Sequence, residues 1–185
     1  MLNNENVQSF LWPCEFACTI VSEKLIIPNY YNLKLNIEPA ESKTSDINTG
    51  FKKLKYFVSN CLQNSILIHQ KNPLLINLKE IESNFVLLPA EPYDYFFASV
   101  LFNKLSKIVE NYFLVNYLEL FSSIGDHVEY TVNHGNKMKL DTNNKYWWNT
   151  DTVNTGQTEH ITWEELNIID SPKFMPKIVK GGLSE

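Results

Sequence analysis

Residues 92–112, PYDYFFASVLFNKLSKIVENY, constrain the fold most, because they have the pattern of one long amphipathic helix. Their apolar residues recur at steps of about three and four and form one broad stripe. The stripe consists of Tyr93, Phe96, Phe97, Val100, Leu101, Leu105, Ile108 and Tyr112. A proline at the first position and a carboxylate in the first turn both favour a helix that begins here. We therefore predict a core helix over about residues 92–112.

Two stretches near the start of the chain have the composition of β-strands. EFACTIVSEKLIIP is rich in β-branched residues and ends at Pro28. YYNLKLNIE alternates, which places its apolar side chains on one face of a strand. These side chains are Tyr31, Leu33, Leu35 and Ile37. A turn around Pro28 and Asn29 would join the two strands as an antiparallel hairpin.

The remaining elements are shorter, and they mix strands with helices irregularly. SILIHQ, NFVLLP and the runs 114–121 and 127–132 have the composition of strands, with Gly125 in the turn between the last two. FKKLKYFVSNCLQ and NPLLINLKEIES have helical periodicity, and Thr162 with Glu165 predicts the capping box of a short helix. We also expect short strands at KMKL and KFMPKIV.

This irregular order predicts the α+β class rather than a strict β-α-β alternation. We expect a single mixed or antiparallel sheet of about five or six strands, with the helix of residues 92–112 packed across it. The length of 185 residues fits one globular domain over residues 1–185. Within that domain we expect a polar leader at residues 1–10 and a C-terminal tail at residues 180–185.

The segment NNKYWWNTDTVNTGQTEH, residues 143–160, places two adjacent tryptophans among amides, hydroxyls and carboxylates. In an extended backbone, neighbouring side chains point to opposite sides, so only one of Trp147 and Trp148 can easily enter the core. The segment composition favours internal packing of both rings. If one ring is exposed instead, it is typical of a protein-binding surface, and this alternative gives the candidate binding surface. A third alternative is that a ring stacks on a small ligand.

Acidic residues near these rings give the expected binding surface its charge. We group Asp141, Asp151 and Glu159 with Trp147 and Trp148 as the candidate binding residues. The whole chain has a formal net charge of -5, which favours a basic partner. The sequence therefore predicts that the partner is another protein, of basic character.

Lysine supplies all of the positive charge, because each of the 16 basic residues is a lysine. Arginine makes the planar, bidentate contacts to phosphate and guanine that specific nucleic-acid-binding proteins use. The lack of arginine and the net negative charge together disfavour a nucleic-acid partner.

The sequence also disfavours membrane, metal and cofactor roles. It has no apolar run of about 18 residues and no signal-peptide pattern at its start, so we expect a cytoplasmic protein. Cys14, Cys18 and Cys61 are an odd number without the spacing of zinc ligands, which predicts free thiols and no metal site. The sequence contains no cofactor motif, and no pattern in it indicates an oligomeric state.

The alternative to a binding module is a small hydrolase that uses clustered carboxylates and a histidine. The candidate catalytic residues are Glu91, Asp94, Asp126 and His127. Asp151 joins them only if the fold brings it into the same cleft. In a plainer interpretation, Glu91 caps the predicted helix, Asp94 stabilises the helix dipole, and the turn around Gly125 is closed by its own side chains.

We therefore interpret the sequence as that of a cytosolic, non-enzymatic protein-binding module. An acidic inhibitor or immunity-type protein that neutralises a basic partner, such as a nuclease, fits the charge and the lack of catalytic motifs. The small hydrolase is the alternative function.

Overall fold

The structure, a computed structural model, describes residues 9–40, 47–80, 83–125, 128–141, 146–156 and 162–166. Within these residues the strands, β1 to β6, are Phe10–Val21, Ile26–Pro39, Ser65–His69, Phe85–Leu88, Phe113–Ser122 and Glu129–Asn133. The helices, α1 to α3, are Ile47–Tyr56, Leu75–Leu78 and Asp94–Val109. A π-helical turn, Phe57–Leu62, continues α1, and a 3-10 turn spans Trp147–Asn149.

The six strands of the described residues form one mixed sheet in the order β4-β3-β1-β2-β5-β6. Antiparallel pairing joins β1 to β2, β2 to β5 and β5 to β6. Parallel pairing joins β1 to β3 and β3 to β4. The predicted α+β class with a single mixed sheet is therefore confirmed.

The 16-residue helix α3 packs across one face of this sheet, so the predicted core helix is confirmed. Its apolar stripe is buried against the alternating side chains of β2, and the ring of Phe97 lies 5.3 Å from that of Tyr31 between centroids. Burying one large apolar side chain stabilises the fold by about 1.5–3 kcal/mol, and this layer contains many of them. The helix is shorter than expected, because Tyr93 has an extended backbone and residues 110–112 form a turn.

The predicted hairpin of β1 and β2 is confirmed, but its turn lies at residues 22–25 rather than around Pro28 and Asn29. The backbone amide of Ser22 donates to the carbonyl of Leu25 at 2.9 Å, and the Leu25 amide donates to the Ser22 hydroxyl at 3.2 Å. Pro28 lies inside β2, opposite Thr19. Proline is tolerated there because the ladder between β2 and β5 begins only at Tyr31, so Pro28 has no strand on its other side.

Four other expectations have mixed outcomes. Strands are present at SILIHQ, at NFVLLP and on both sides of Gly125. KMKL is not a strand, and KFMPKIV lies outside the described residues. The capping box is present, since the Thr162 amide donates to the Glu165 carboxylate at 2.6 Å, but residues 162–166 form turns rather than a helix.

No helix in the described part of the chain is long and apolar enough to cross a bilayer.

Candidate functional site

The two adjacent tryptophans lie in the core. The turn Trp147–Asn149 is a 3-10 turn rather than extended backbone, and it sets the two indoles side by side, with ring centroids 5.8 Å apart at an angle of 78°. Trp147 is 4% exposed and Trp148 is 2% exposed. Both rings therefore pack internally, as the segment composition favoured. The exposed ring on which the candidate binding surface depended is not present, because the backbone here is not extended.

Both indole nitrogens have hydrogen-bond partners inside the protein. Nε1 of Trp147 donates to the carbonyl of Leu87 on β4 at 2.8 Å, and Nε1 of Trp148 donates to the carbonyl of Asp141 at 3.2 Å. Tyr146 stacks on Trp148 with ring centroids 4.6 Å apart. The apolar rings and their polar nitrogens are thus both accommodated by the fold, and the segment 146–156 is held against the sheet and α3.

A buried lysine on α3 holds the same segment. The ammonium of Lys104 donates to the carbonyl oxygens of Trp147, Thr150 and Thr152 at 2.8, 2.9 and 2.6 Å. Three acceptors match the three donors of a protonated lysine. Burial lowers the pKa of Lys104 to about 7, and the nearby carboxylate of Asp151 opposes this change. Lys104 therefore serves as a structural link between α3 and the segment.

Asp151, a predicted binding residue, is held by internal partners. Its carboxylate lies 3.0 Å from the ammonium of Lys53, which is itself buried on α1. Nε1 of Trp163 donates to the same carboxylate at 2.7 Å. Burial raises the pKa of Asp151, and the hydrogen bond from Lys53 lowers it. This ion pair ties α1 to the tryptophan segment.

The other predicted binding residues do not join Asp151 in one described cluster. Asp141 is exposed, and its backbone carbonyl accepts hydrogen bonds from Trp148 and from the side-chain amide of Asn149. Glu159 lies outside the described residues. Around the indoles the structure therefore shows a buried structural cluster with Asp141 at its surface.

The carboxylates of the hydrolase hypothesis have separate partners. Asp94, in the first turn of α3, accepts a hydrogen bond from the phenol of Tyr31 at 2.6 Å. The carboxylate of Glu91 lies 3.5 Å from Nδ1 of His69, a partner that the sequence did not indicate. Asp151 is bound to Lys53 instead. The remaining two candidates, at positions 126 and 127, lie outside the described residues.

The described residues contain no group of three or more histidine, cysteine, aspartate or glutamate side chains that could hold a metal ion. The three thiols are free, and burial raises the pKa of each of them.

An exposed aromatic surface lies at the N-terminal end of α3, and the sequence analysis missed it. We call its residues, Tyr93, Tyr95 and Tyr130, the tyrosine face. Tyr93 is 61% exposed and Tyr95 is 46% exposed, and their rings stack in parallel planes with centroids 6.1 Å apart. Tyr130 on β6 is partly buried, with its ring 6.5 Å from that of Tyr95. Tyr93 was expected on the buried stripe, and that expectation is wrong.

Two carboxylates adjoin the tyrosine face in the sequence, and a turn with exposed aliphatic side chains packs against the start of α3. Glu91 and Asp94 adjoin its tyrosines in the sequence EPYDY. The turn after β5 packs against the start of α3, because a Cβ added to Gly125 would lie 2.9 Å from the Asp94 carboxylate. Ile124 and Val128, on either side of that turn, are exposed. Exposed aliphatic groups thus lie on the turn that packs against the start of α3, while the carboxylates of Asp94 and Glu91 have Tyr31 and His69 as partners.

No protein-family model matches this sequence, and no curated protein matches it. Among solved structures, the fold is similar to the crystal structure of uncharacterized protein WS1659 from Wolinella succinogenes. The match has a TM-score of 0.51 and 14% sequence identity, and it covers 69% of this chain and 98% of that chain. At this identity the likeness shows the fold alone. The described residues thus form an α+β fold with a mixed six-stranded sheet, and this fold is similar to that of an uncharacterized protein.

Proposed function

We propose that this chain is a non-enzymatic protein-binding module that contacts a basic partner protein through the tyrosine face. The stacked and exposed pair of Tyr93 and Tyr95 is the observation that carries the proposal. It replaces the tryptophan segment as the contact surface, because both indoles are buried.

Exposed tyrosines of this kind are typical of interface anchors. A tyrosine ring offers a large contact area and loses little conformational freedom on binding, and its hydroxyl forms a hydrogen bond at the same time. The rings of Tyr93 and Tyr95 already stack on each other, and that of Tyr130 lies tilted beside Tyr95. A partner therefore meets a partly ordered surface, which lowers the entropic cost of association.

Charge determines the kind of partner. The two carboxylates of EPYDY adjoin the exposed tyrosines in the sequence, and the whole chain has a formal net charge of -5. Complementary charge speeds association and disfavours partners of like charge. A basic protein is therefore the expected partner, and an acidic inhibitor or immunity-type protein is one form that such a module takes.

The double variant Tyr93→Ala, Tyr95→Ala tests the proposal. Because both side chains are exposed, the variant should fold with a free energy of unfolding within about 1 kcal/mol of wild type. A partner is captured with the wild-type chain and purified, and its Kd for both chains is measured by calorimetry. We expect the Kd of the double variant to rise at least about tenfold, since interface tyrosines often contribute 2 kcal/mol or more.

Tyr30→Ala is the matched control. Tyr30 is also an exposed tyrosine, but it alternates with buried Tyr31 on β2 and so faces the opposite side of the sheet. Its substitution should leave the Kd unchanged. Equal affinities of the double variant and wild type, or a captured partner that is itself acidic, would contradict the proposal.

A further inference from the structure

A cleft with more lysines than carboxylates in its lining lies at the C-terminal end of α3, away from the tyrosine face. Its volume is about 840 Å³, and it lies between the C-terminal half of α3, the start of β5 and residues 134–140. Lys107, Lys137 and Lys139 line it, and Glu110 is the one carboxylate among the described residues that do. This concentration of cations is notable on a chain whose formal net charge is -5.

Two of these lysines have no carboxylate partner within the described ranges. Lys107 is already paired, with its ammonium 2.8 Å from the Glu110 carboxylate. Lys137 instead donates to the side-chain carbonyl of Asn103 at 3.0 Å. Lys139 is exposed and forms no ion pair with another described residue. The cleft therefore has positive charge that is available to a ligand.

The lining of the cleft is also apolar. Leu114 and Met138 are both exposed there, and buried Phe113 also lines the cleft. His134 is fixed in the lining, because Nε2 lies 3.1 Å from the carbonyl of Val115 and its ring contacts Phe102 edge to face. A ligand that fits this lining has apolar groups as well as negative charge.

The adjacent edge of the sheet is closed to an added strand. The side-chain amide of Asn136 donates to the carbonyl of Thr131 at 2.9 Å, and its oxygen accepts from the amide of Asn133 at 2.7 Å. These bonds occupy outward backbone groups of β6 that an incoming strand would need. Recognition at this end of the molecule therefore depends on the side chains of the cleft.

From this geometry we infer that the cleft binds an acidic peptide segment of a partner protein, one that carries apolar side chains as well as carboxylates. The carboxylates pair with Lys137 and Lys139, and the apolar side chains cover Leu114 and Met138. The volume is within the usual range of about 300–1,000 Å³ for ligand sites, and an open cleft admits a continuous segment. This site is separate from the tyrosine face and has opposite charge.

The probes are short labelled peptides of alternating glutamate and leucine, and of alternating glutamine and leucine, with binding measured by fluorescence anisotropy. The glutamate peptide should bind, more weakly as salt rises, and the glutamine peptide at least about fivefold less tightly, as expected for lost charge pairs. Equal binding of both peptides, or no binding of the glutamate peptide, overturns the inference. Tighter binding of a single-stranded oligonucleotide than of the glutamate peptide overturns it too.

Matched variants locate the site. Lys139→Glu should weaken binding of the glutamate peptide about fivefold or more, whereas Lys55→Glu, at an exposed position of α1, should leave it unchanged. Leu114→Asn should also weaken binding, whereas Leu11→Asn should not; both leucines are 53% exposed on strands, but only Leu114 lines the cleft. Equal effects of a cleft variant and its control overturn the inference. Unchanged urea midpoints verify that each variant is folded.

Discussion

The ammonium of Lys104 lies 2.8 Å from the carbonyl oxygen of Trp147, so a helix residue and a loop residue 43 positions apart hold each other in the core. The polar composition of the tryptophan segment is thus compatible with burial, because its backbone carbonyls satisfy a buried cation. The segment in turn covers the edge of β4, where the Leu87 amide donates to the carbonyl of Thr155 at 2.8 Å. The contribution of Lys104 to the stability of the fold can be measured.

Lys104→Met should lower the free energy of unfolding by about 3 kcal/mol, measured by urea denaturation at pH 6, where the Lys104 ammonium is protonated. Methionine keeps much of the apolar stem, but it leaves three carbonyl oxygens without their donor. The matched control is Lys107→Met on the exposed side of the same helix, which should change stability by less than about 0.5 kcal/mol. Similar effects of the two substitutions would contradict the structural role of Lys104.

Stability should also rise with pH because of Lys104. Burial lowers the pKa of Lys104 in the folded chain to about 7, from 10.5 as its ordinary value. Above pH 7 the unfolded chain therefore holds a proton that the folded chain has lost, and unfolding becomes less favourable by up to about 1.4 kcal/mol per pH unit. Urea denaturation from pH 6 to pH 9 should show a flat region followed by this rise.

Lys104→Met isolates the pH effect of Lys104 from those of other groups. The raised pKa values of the buried thiols act in the opposite direction above their ordinary value of 9.0, but they act equally in both chains. The difference in stability between wild type and variant should therefore grow between pH 7 and pH 9. Parallel curves would mean that the Lys104 ammonium stays protonated in the fold.

The cysteines should react slowly with alkylating reagents. Burial raises the pKa of Cys14 and Cys18 to about 12 and that of Cys61 to about 11. Since the thiolate is the reactive form, alkylation by iodoacetamide at pH 8 should be at least about a hundredfold slower in the folded chain than in urea. Mass spectrometry over time measures each site. Rapid labelling of any of the three in the folded chain would refute this.

Gly156→Ala should destabilise the fold by about 1–3 kcal/mol. Gly156 has a φ of +98°, and an added Cβ would lie 2.7 Å from the Cβ of Leu87. The substitution should weaken the packing of residues 146–156 against β4. Urea denaturation measures the resulting decrease in the free energy of unfolding. Gly135→Ala is the control, because its added Cβ would meet only the side chain of Asn133 at 3.3 Å. A variant at position 156 as stable as this control would count against the described contact.

The sequence predicted the features that depend on local periodicity. The alternation of Tyr31, Leu33, Leu35 and Ile37 identified the buried face of β2, because each of these residues needs only the regular geometry of a strand. The turn between β1 and β2 was misplaced, because Pro28 is a frequent turn residue. In the structure, hydrogen bonds between Ser22 and Leu25 determine the turn instead.

The candidate site depended on contacts between distant residues, which periodicity does not reveal. The burial of Trp147 requires its acceptor on Leu87 and its donor on Lys104, which lie 60 and 43 positions away. The sequence contained one indication that Lys104 is buried, because Lys104 lies on the apolar stripe of the helix, next to Leu105. The spacing of Tyr93 and Tyr95 indicated that at least one of these tyrosines is exposed, because residues two apart in a helix cannot both face the core.

The measurement that tests the proposed function most directly is oxidative footprinting of the tyrosines in the complex with the captured basic partner. Binding through the tyrosine face predicts that oxidation of Tyr93 and Tyr95 falls on complex formation, while that of exposed Tyr30 stays the same. Protection of Tyr30 with unchanged oxidation of Tyr93 and Tyr95 would place the contact elsewhere and contradict the proposal.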